Sequence, residues 1–489
     1  MPEPSAPGST ITVQSVVRNS TLIFGFQLLT KAAGFVSAVM LANELGTVRF
    51  GLFNYGFALT SLFIPFCDMG LDVVLMRDAA RHDRNRTAES LATVLGAKTI
   101  LGILVFLLVL VVSTILESTG TESFTVVLLA GAVIILRTFW NSFNAVFRSL
   151  NRVRLEAMVF TSARGAEFLV TIVCVLAKSP LPTLLAGLIL VNLVAVGATF
   201  IFIRFRFFLV RFFFSPAALA SALRESLPFA LTTIFVSVYF NFDTVLVSKL
   251  IGNQAAGIYR AAYNLILPLM MVTAAVTGAV FPFASQNFRS RPEEVAGIIH
   301  KSASYLLLAG TLIAVVGFMC ADEIVSFLFS EEFRSAGTCL AILIWFIPIV
   351  FLTNLFGNVL GAMDEQSFVL RVVIINVIFS VTTDFLLIPR LAQNGASIVT
   401  VATEFLGLCL LSYRIRKTTG SILEKHLLPK LACAAALTAG VLALTPHLWL
   451  PARLTCGTLA FLLVAVSLRA FSARDLRFLL GGEKMIQSS

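Results

Sequence analysis

Between residues 16 and 470 the chain is a succession of apolar stretches, most of them twenty residues or longer, separated by short polar breaks. A helix rises 1.5 Å per residue and the hydrocarbon core of a bilayer is about 30 Å thick, so each stretch is long enough to cross a membrane. In lipid every backbone polar group must find its partner within the protein, which leaves helices and closed barrels as the only spanning structures. Leu, Ala, Val, Phe and Gly fill these stretches without the ten-residue alternation of a barrel strand. An all-α polytopic membrane protein of roughly fourteen transmembrane helices is expected. The expected spans are 16–42, 50–76, 89–115, 123–147, 155–177, 183–203, 227–249, 257–284, 300–319, 338–361, 367–389, 393–413, 428–446 and 451–470. Composition agrees: 58% of residues are hydrophobic and 13% are charged, against about 25% charged in a soluble domain.

Lys and Arg are unevenly shared between the two sets of loops. One set holds Arg77, Arg81, Arg84, Arg86, Arg148, Arg152, Arg154, Arg204, Arg206, Arg211, Arg224, Arg289, Arg291, Arg414, Arg416 and Lys417; the other is poor in cations and includes the acidic ADEIVSFLFSEEFR. The positive-inside rule then places both termini in the cytoplasm. This asymmetry accounts for the net charge of +10 without invoking nucleic acid as a partner. The Pro/Ser-rich opening has no signal-peptide pattern and is expected to be a disordered tail over 1–14. The seven cysteines make no metal-binding spacing; one option is a Cys320–Cys339 bridge across the acidic loop.

The chain says one thing twice. LGTVRFGLFNYGFAL at 45–59 and IGNQAAGIYRAAYNL at 251–265 align at a constant offset, pairing Gly46 with Gly252, Gly51 with Gly257, Phe53 with Tyr259, Phe57 with Tyr263 and Leu59 with Leu265. A second echo, FRSLNRVRLEAM with LGAMDEQSFVLR, follows at a slightly longer offset. Six helices separate the copies, an even number, so both enter the membrane from the same side as a parallel repeat. The organisation expected is a tail over 1–14, an N-lobe over 15–206 and a cytoplasmic interfacial linker over 207–226. A C-lobe over 227–416, two additional helices within 428–470 and a cytoplasmic tail over 471–489 complete it.

Charges inside the spans mark candidate functional residues, because each costs about 2.5–3.5 kcal/mol at mid-membrane and needs a partner or water. In the first half these are Lys31, Arg137, Arg164 and Glu167, with Glu167 one turn from Arg164 and free to pair with it. In the second half they are Asp243, Arg260, Asp384 and Glu404. The cations Lys31, Arg137, Arg164 and Arg260 suit an anionic head group such as a phosphate. The carboxylates Asp243, Asp384, Glu404 and Glu167 suit ion coupling. Structural ion pairing is the competing reading for Arg164 and Glu167. Snorkelling to the interface competes for Lys98, Asp243, Arg260 and Asp384, which lie within a few turns of a helix end. No GxxxxGK[ST] occurs, and His82, His300, His426 and His447 sit near no nucleophile, so a transporter is expected rather than an enzyme.

FVSAVMLANELGTVRFGLFNYGFALTSLFIPFCDMGLDVVLMRDAAR and LPFALTTIFVSVYFNFDTVLVSKLIGNQAAGIYRAAYNL resemble the two lobe openings of bacterial polysaccharide-biosynthesis flippases. EIVSFLFSEEFRSAG and IPRLAQNGASIVTVATEF are similar to later motifs of that family, with Glu404 at its glutamate. The likeness runs over about residues 15–415 and departs at Leu391 and Ala392, where an aromatic-glycine turn is expected. The resemblance implies the oligosaccharide-flippase branch of the superfamily that also holds multidrug exporters and the lipid II flippase. It implies that a polyprenyl-diphosphate-linked oligosaccharide is moved from the inner to the outer leaflet of the bacterial cytoplasmic membrane by alternating access. It also implies the substrate and membrane lipids as partners, together with a polysaccharide polymerase and assembly machinery. No cofactor is expected beyond a coupling ion, H+ or Na+. An ion-coupled multidrug or small-metabolite antiporter, and a membrane-embedded glycosyl polymerase or ligase, are the alternatives.

Overall fold

The computed structural model describes residues 13–81, 84–117, 119, 121–150, 152–208, 216–420 and 426–468. The expected tails lie outside these residues, except that Val13 and Gln14 already begin a helix. Residues 209–215 of the expected linker lie outside them too.

Six helices make up the first part of the chain: α1 (Val13–Asp68), α2 (Leu71–Arg81), α3 (Arg84–Leu116), α4 (Glu122–Ser149), α5 (Val153–Leu176) and α6 (Leu181–Arg206). Ten follow: α7 (Pro216–Leu250), α8 (Asn253–Ile266), α9 (Met271–Asn287), α10 (Pro292–Met319), α11 (Ala321–Leu328), α12 (Ala336–Leu343), α13 (Phe346–Ala362), α14 (Gln366–Thr419), α15 (Leu427–Leu444) and α16 (Leu450–Ser467). Among the described residues, twelve helical segments are long and apolar enough to cross a membrane. Two of them, in α1 and α14, run 41 and 53 residues, about twice what a crossing needs. Each is broken by one non-helical residue, Gly46 in α1 and Ala392 in α14. Dividing these two at their breaks turns twelve crossings into the expected fourteen. Within the expected linker α7 begins at Pro216 and runs unbroken through the span that follows.

By their contacts the residues group into two compact units. Among the described residues, the first takes those up to Glu44 and within 56–237; the second takes Leu45–Tyr55 and those from Val238 onward. In the first unit, Leu71 and Leu75 of α2, Leu91 and Leu95 of α3, and Phe143, Val146 and Phe147 of α4 make one core. The opposite face of α3 turns outward: Ile103, Leu107, Val111 and Ile115 recur every fourth residue and are each about half exposed or more. Such a stripe is unfavourable against water and suits acyl chains.

In the second unit α13 is the central helix. Phe346, Ile347, Phe351, Leu355, Phe356, Val359 and Leu360 are all buried, so most of its circumference packs against protein. The two additional helices pack here: Leu427, Leu431 and Ala434 of α15 and Phe461 of α16 form a cluster with Leu308 of α10. Arg453 of α16, itself buried, is ion-paired to Glu323 of α11 and donates to the carbonyl of Leu442 at 3.2 Å. All seven cysteines are free. The Cys320–Cys339 bridge is therefore absent; Cys339 instead donates to Asn394 Oδ1 at 3.2 Å.

The repeated glycines have a structural cause. Gly46 (φ 69°, ψ 175°) and Gly252 (φ 125°, ψ 168°) both occupy backbone conformations that residues with a Cβ essentially avoid. Within the second unit the start of the helix after Gly46 crosses the start of α8 so closely that neither chain leaves room for a side chain. A Cβ on Gly51 would lie 1.7 Å from the carbonyl oxygen of Asn253, and a Cβ on Gly257 would lie 2.1 Å from that of Thr47. The glutamate of the acidic loop meets the same crossing, since Thr47 N donates to Glu332 Oε2 at 3.2 Å.

Candidate functional site

In the first unit α4 and α5 bring Arg137, Arg164 and Glu167 together. Glu167 lies one helical turn after Arg164, so the two share a face of α5. Each oxygen of its carboxylate is taken by a different arginine. Arg137 Nε and Nη2 reach Oε1 at 3.0 and 2.9 Å, and Arg164 Nη1 reaches Oε2 at 2.7 Å. Asn192 of α6 donates to Oε1 at 2.8 Å and to the carbonyl of Leu188 at 2.7 Å. Aromatic rings support both cations: Arg137 sits 5.6 Å from the Phe57 ring, and Arg164 lies 5.4 Å from Phe160 and 5.9 Å from Trp140. Such contacts contribute about 0.5–2 kcal/mol each and hold a guanidinium without cancelling its charge.

The ion pair that competed with function is thus present, but it does not neutralise the cluster. Two guanidiniums against one carboxylate leave a net charge of +1. Glu167 is 8% exposed while Arg137 and Arg164 are 26% and 31% exposed, so the uncancelled charge is on the accessible side. Three or more N–H groups remain on the two forks, enough to hold an anion with bidentate geometry. Lys31, exposed on α1, is not a member of this cluster. Asn192 and the three aromatic groups were not anticipated. An amide in the middle of LILVNLVAV was the available signal, since a lone polar side chain in an apolar span needs a partner.

The second unit holds its carboxylates differently. Asp243, Asp384 and Glu404 are all buried, and hydroxyl groups rather than arginines contact them. Tyr259 donates to Asp243 Oδ2 and also meets Thr400 Oγ1 at 3.0 Å; Thr244 N donates to Asp243 Oδ1 at 2.9 Å. Tyr239 and Thr353 donate to the two oxygens of Glu404. Ser380 donates to Asp384 Oδ2 at 3.4 Å, and Asp384 Oδ1 is buried without a hydrogen-bond partner. Arg260 lies over the Tyr263 ring at 5.4 Å, with Asn241 Oδ1 at 3.4 Å. Snorkelling therefore fails for Asp243 and Asp384. It fails for Lys98 as well, which is fully buried in the first unit between Asp68 and Asp72. The sequence places Lys98 near the end of its span, but α2 folds back beside α3 and covers it.

A separate cavity of about 330 Å³ in the first unit is lined by Asp78, Arg86, Glu89, Thr93, Ser221 and Glu225. Arg77 and Glu225 are ion-paired beside it, and the Arg77 guanidinium holds the Glu225 carboxyl below its ordinary range. None of the anticipated site residues lines it.

The polysaccharide biosynthesis protein family matches residues 16–288, more than half of the chain. The chain belongs to that family. The MatE family also matches, over residues 228–386. The chain is 25% identical over 410 residues to the lipopolysaccharide biosynthesis protein WzxC of Escherichia coli, covering 81% of this chain and 80% of that protein. It is 24% identical over 165 residues to the probable low-salt glycan biosynthesis flippase Agl15 of Haloferax volcanii, a match spanning 33% of this chain and 34% of that relative's length. Among solved structures the lipid II flippase MurJ, in an inward closed conformation, shares the fold. The TM-score is 0.79 over 92% of this chain and 99% of that one, at 14% identity. This family member is an all-α, multi-pass membrane protein.

Proposed function

We propose that this polysaccharide biosynthesis protein is a flippase that carries a polyprenyl-diphosphate-linked oligosaccharide across the bacterial cytoplasmic membrane by alternating access, with both termini in the cytoplasm. Arg137 and Arg164 are the anion site for the diphosphate, and Lys31 and Arg260 are further cations on the route. The observation that carries this reading is the shared carboxylate of Glu167, which leaves two partly exposed guanidiniums with one negative charge between them. No covalent step is involved: the protein binds the charged head, shields the glycan from lipid and leaves the prenyl tail in the bilayer. The relatives support the substrate class, since one is named as a glycan biosynthesis flippase and a solved neighbour is a lipid II flippase. A polysaccharide polymerase and assembly machinery are the partners that would consume the flipped product.

Coupling to H+ or Na+ belongs to the second unit in this reading. The partnerless Asp384 Oδ1 and the charge repulsion between Asp384 and Asp243 fit a site that takes up a cation or a proton. The same carboxylates, with the match to the MatE family over 228–386, favour one further reading: an ion-coupled antiporter of small molecules. One strain comparison separates the two. A deletion strain that accumulates lipid-linked glycan on the inner leaflet, with unchanged drug sensitivity, supports the flippase; the reverse pattern supports the antiporter.

The anion site is tested by Arg137→Ala and Arg164→Ala together with the charge-balanced double variant Arg137→Ala/Glu167→Ala. Glycan export is lost in all three while membrane insertion is retained. Recovery of export in the double variant would show that the arginine serves only to neutralise Glu167.

A further inference from the structure

The first unit contains a second charged cluster, formed where α1 ends and α2 begins, which the flippase reading does not use. The chain leaves α1 at Asp68 and enters α2 at Leu71 through two residues in left-handed conformations, Met69 (φ 48°) and Gly70 (φ 75°). A residue with a side chain in that region costs about 1–3 kcal/mol. The break turns Asp68 and Asp72, on either side of it, toward one point. Lys98 of α3 reaches that point and is completely buried there.

An ammonium has three N–H donors, and all three are accounted for. They serve three groups: Asp72, with both oxygens at 2.8 Å, the carbonyl of Thr138 at 2.9 Å, and Asp68. Ser142 adds a fourth bond to the cluster, donating to Asp72 Oδ1 at 2.6 Å. The shortest contact is to Asp68, whose Oδ1 lies 2.6 Å from Lys98 Nζ. Two carboxylates against one ammonium also leave a net charge of −1 in a place largely closed to water. The cluster is thus short of one positive charge. The remaining polar neighbours are the Cys67 thiol, which meets Thr138 Oγ1 at 3.6 Å, and the hydroxyl of Thr138 itself, which donates back to its own helix. Neither supplies charge.

We propose that Asp68 and Asp72 hold one proton between them, making the Asp68–Asp72–Lys98 cluster a single-proton site in the first unit. Both carboxyl groups meet the same ammonium, Asp68 at 2.6 Å and Asp72 at 2.8 Å from Lys98 Nζ, so a proton on either one leaves the other fully balanced by Lys98. That proton supplies the missing charge and brings the cluster to neutrality. A metal cation would also bring charge, but it would have to sit against the Lys98 ammonium, whereas a proton resides on the carboxyl oxygen itself. The side chains of Asp68 and Asp72 are 22% and 16% exposed, so the site is reachable while Lys98 is not. Because uptake changes the charge at a strained helix break, the site ties the local geometry of α1 and α2 to the proton concentration.

The test is difference infrared spectroscopy of the full chain in lipid vesicles between about pH 5 and about pH 8, above the ordinary carboxyl range of about 4. The carbonyl stretch of a protonated carboxylic acid, shifted in D2O, is the readout. Wild-type protein is expected to show a titrating carboxylic-acid band that both Asp68→Asn and Asp72→Asn lose, since the one remaining carboxylate is then neutralised by Lys98. Lys98→Gln leaves two carboxylates without an ammonium and moves the titration of that band to higher pH. If Lys98→Gln does not fold, the two Asn variants still decide the matter, because each keeps one intact ion pair. Bands from Asp243, Asp384 and Glu404 are common to all these proteins, so the readout is the difference between wild type and each Asn variant; the absence of a titrating component lost in both would overturn the proposal.

Discussion

Gly51 and Gly257 meet at a helix crossing in which each sits against the backbone of the other's helix. Gly51 approaches the Asn253 carbonyl and Gly257 approaches the Thr47 carbonyl. The two glycines are 206 residues apart, and so are the two carbonyl residues, Thr47 and Asn253. The contact is therefore reciprocal, as at a local two-fold axis, and the repeated sequence is kept where its two copies touch. Gly51→Ala or Gly257→Ala forces the helices apart, because the obstacle is backbone that has no rotamer to yield. Overpacking of this kind costs about 1–3 kcal/mol or more. Either variant is expected to lower the midpoint of thermal unfolding in detergent. By comparison Gly278→Ala, where nothing lies within 4 Å of the new methyl, leaves it unchanged.

Ala392 occupies the break in α14 with φ 49° and ψ −133°, a conformation suited to glycine. This is the place where the sequence departs from the aromatic-glycine turn expected of the family. The structure keeps the glycine geometry and accepts the strain of a Cβ. Ala392→Gly is expected to stabilise the protein by about 1 kcal/mol, which is the cost released when a strained left-handed residue becomes glycine. The same melting measurement checks it, and a lower midpoint would show that the alanine methyl makes contacts worth more than the strain.

Most of the fold was legible in the sequence because lipid permits few alternatives. A twenty-residue apolar run has to be a helix, and the spacing of such runs already gives fourteen crossings. What could not be read was any feature set by which helix face meets which neighbour. Arg137, Arg164 and Glu167 could be named from their depth in the apolar runs, but their 27- and 3-residue separations do not show that one carboxylate bridges both cations. Lys98 was misplaced for the same reason. Its distance from the end of a span suggested snorkelling, and only the fold-back of α2 at Met69 and Gly70 puts two aspartates over it. Tyr259 stood out only through the repeat, and Tyr239 and Thr353 carried no signal, since aromatic and hydroxyl residues are common in transmembrane helices whether or not a carboxylate lies beside them.

Arg453 of α16 is almost wholly buried, while its partner Glu323 is 45% exposed. The pair is therefore asymmetric. Losing Glu323 leaves a guanidinium buried with only the Leu442 carbonyl to satisfy it, and a buried unsatisfied polar group costs about 1–3 kcal/mol. Glu323→Ala is expected to destabilise the packing of α15 and α16 by about that amount. Replacing both residues, as in Arg453→Met/Glu323→Ala, recovers most of it. Limited proteolysis within α15 and α16 reads the difference, and equal susceptibility of single and double variants would contradict the asymmetry.

The carboxylates of the second unit allow a sharper prediction than charge alone would. Glu404 accepts from Tyr239 and Thr353, and Asp243 accepts from Tyr259 and Thr244, so each is held by donors that also tolerate a neutral partner. An amide in place of either acid keeps one oxygen as acceptor and turns its NH2 toward a hydroxyl that can accept as well as donate, while the charge and the ability to bind a proton or cation are lost. Asp243→Asn and Glu404→Gln should therefore fold and insert as the wild type does. If these acids carry the coupling ion, flipping of lipid-linked glycan in reconstituted vesicles slows in wild type by about tenfold when both proton and sodium gradients are dissipated, equivalent to about 1.4 kcal/mol. The two amide variants flip at the slow rate whether or not the gradients are present. Wild-type gradient dependence retained in both variants would remove Asp243 and Glu404 from the coupling step and leave Asp384, with its partnerless Oδ1, as the remaining acid of this unit to test.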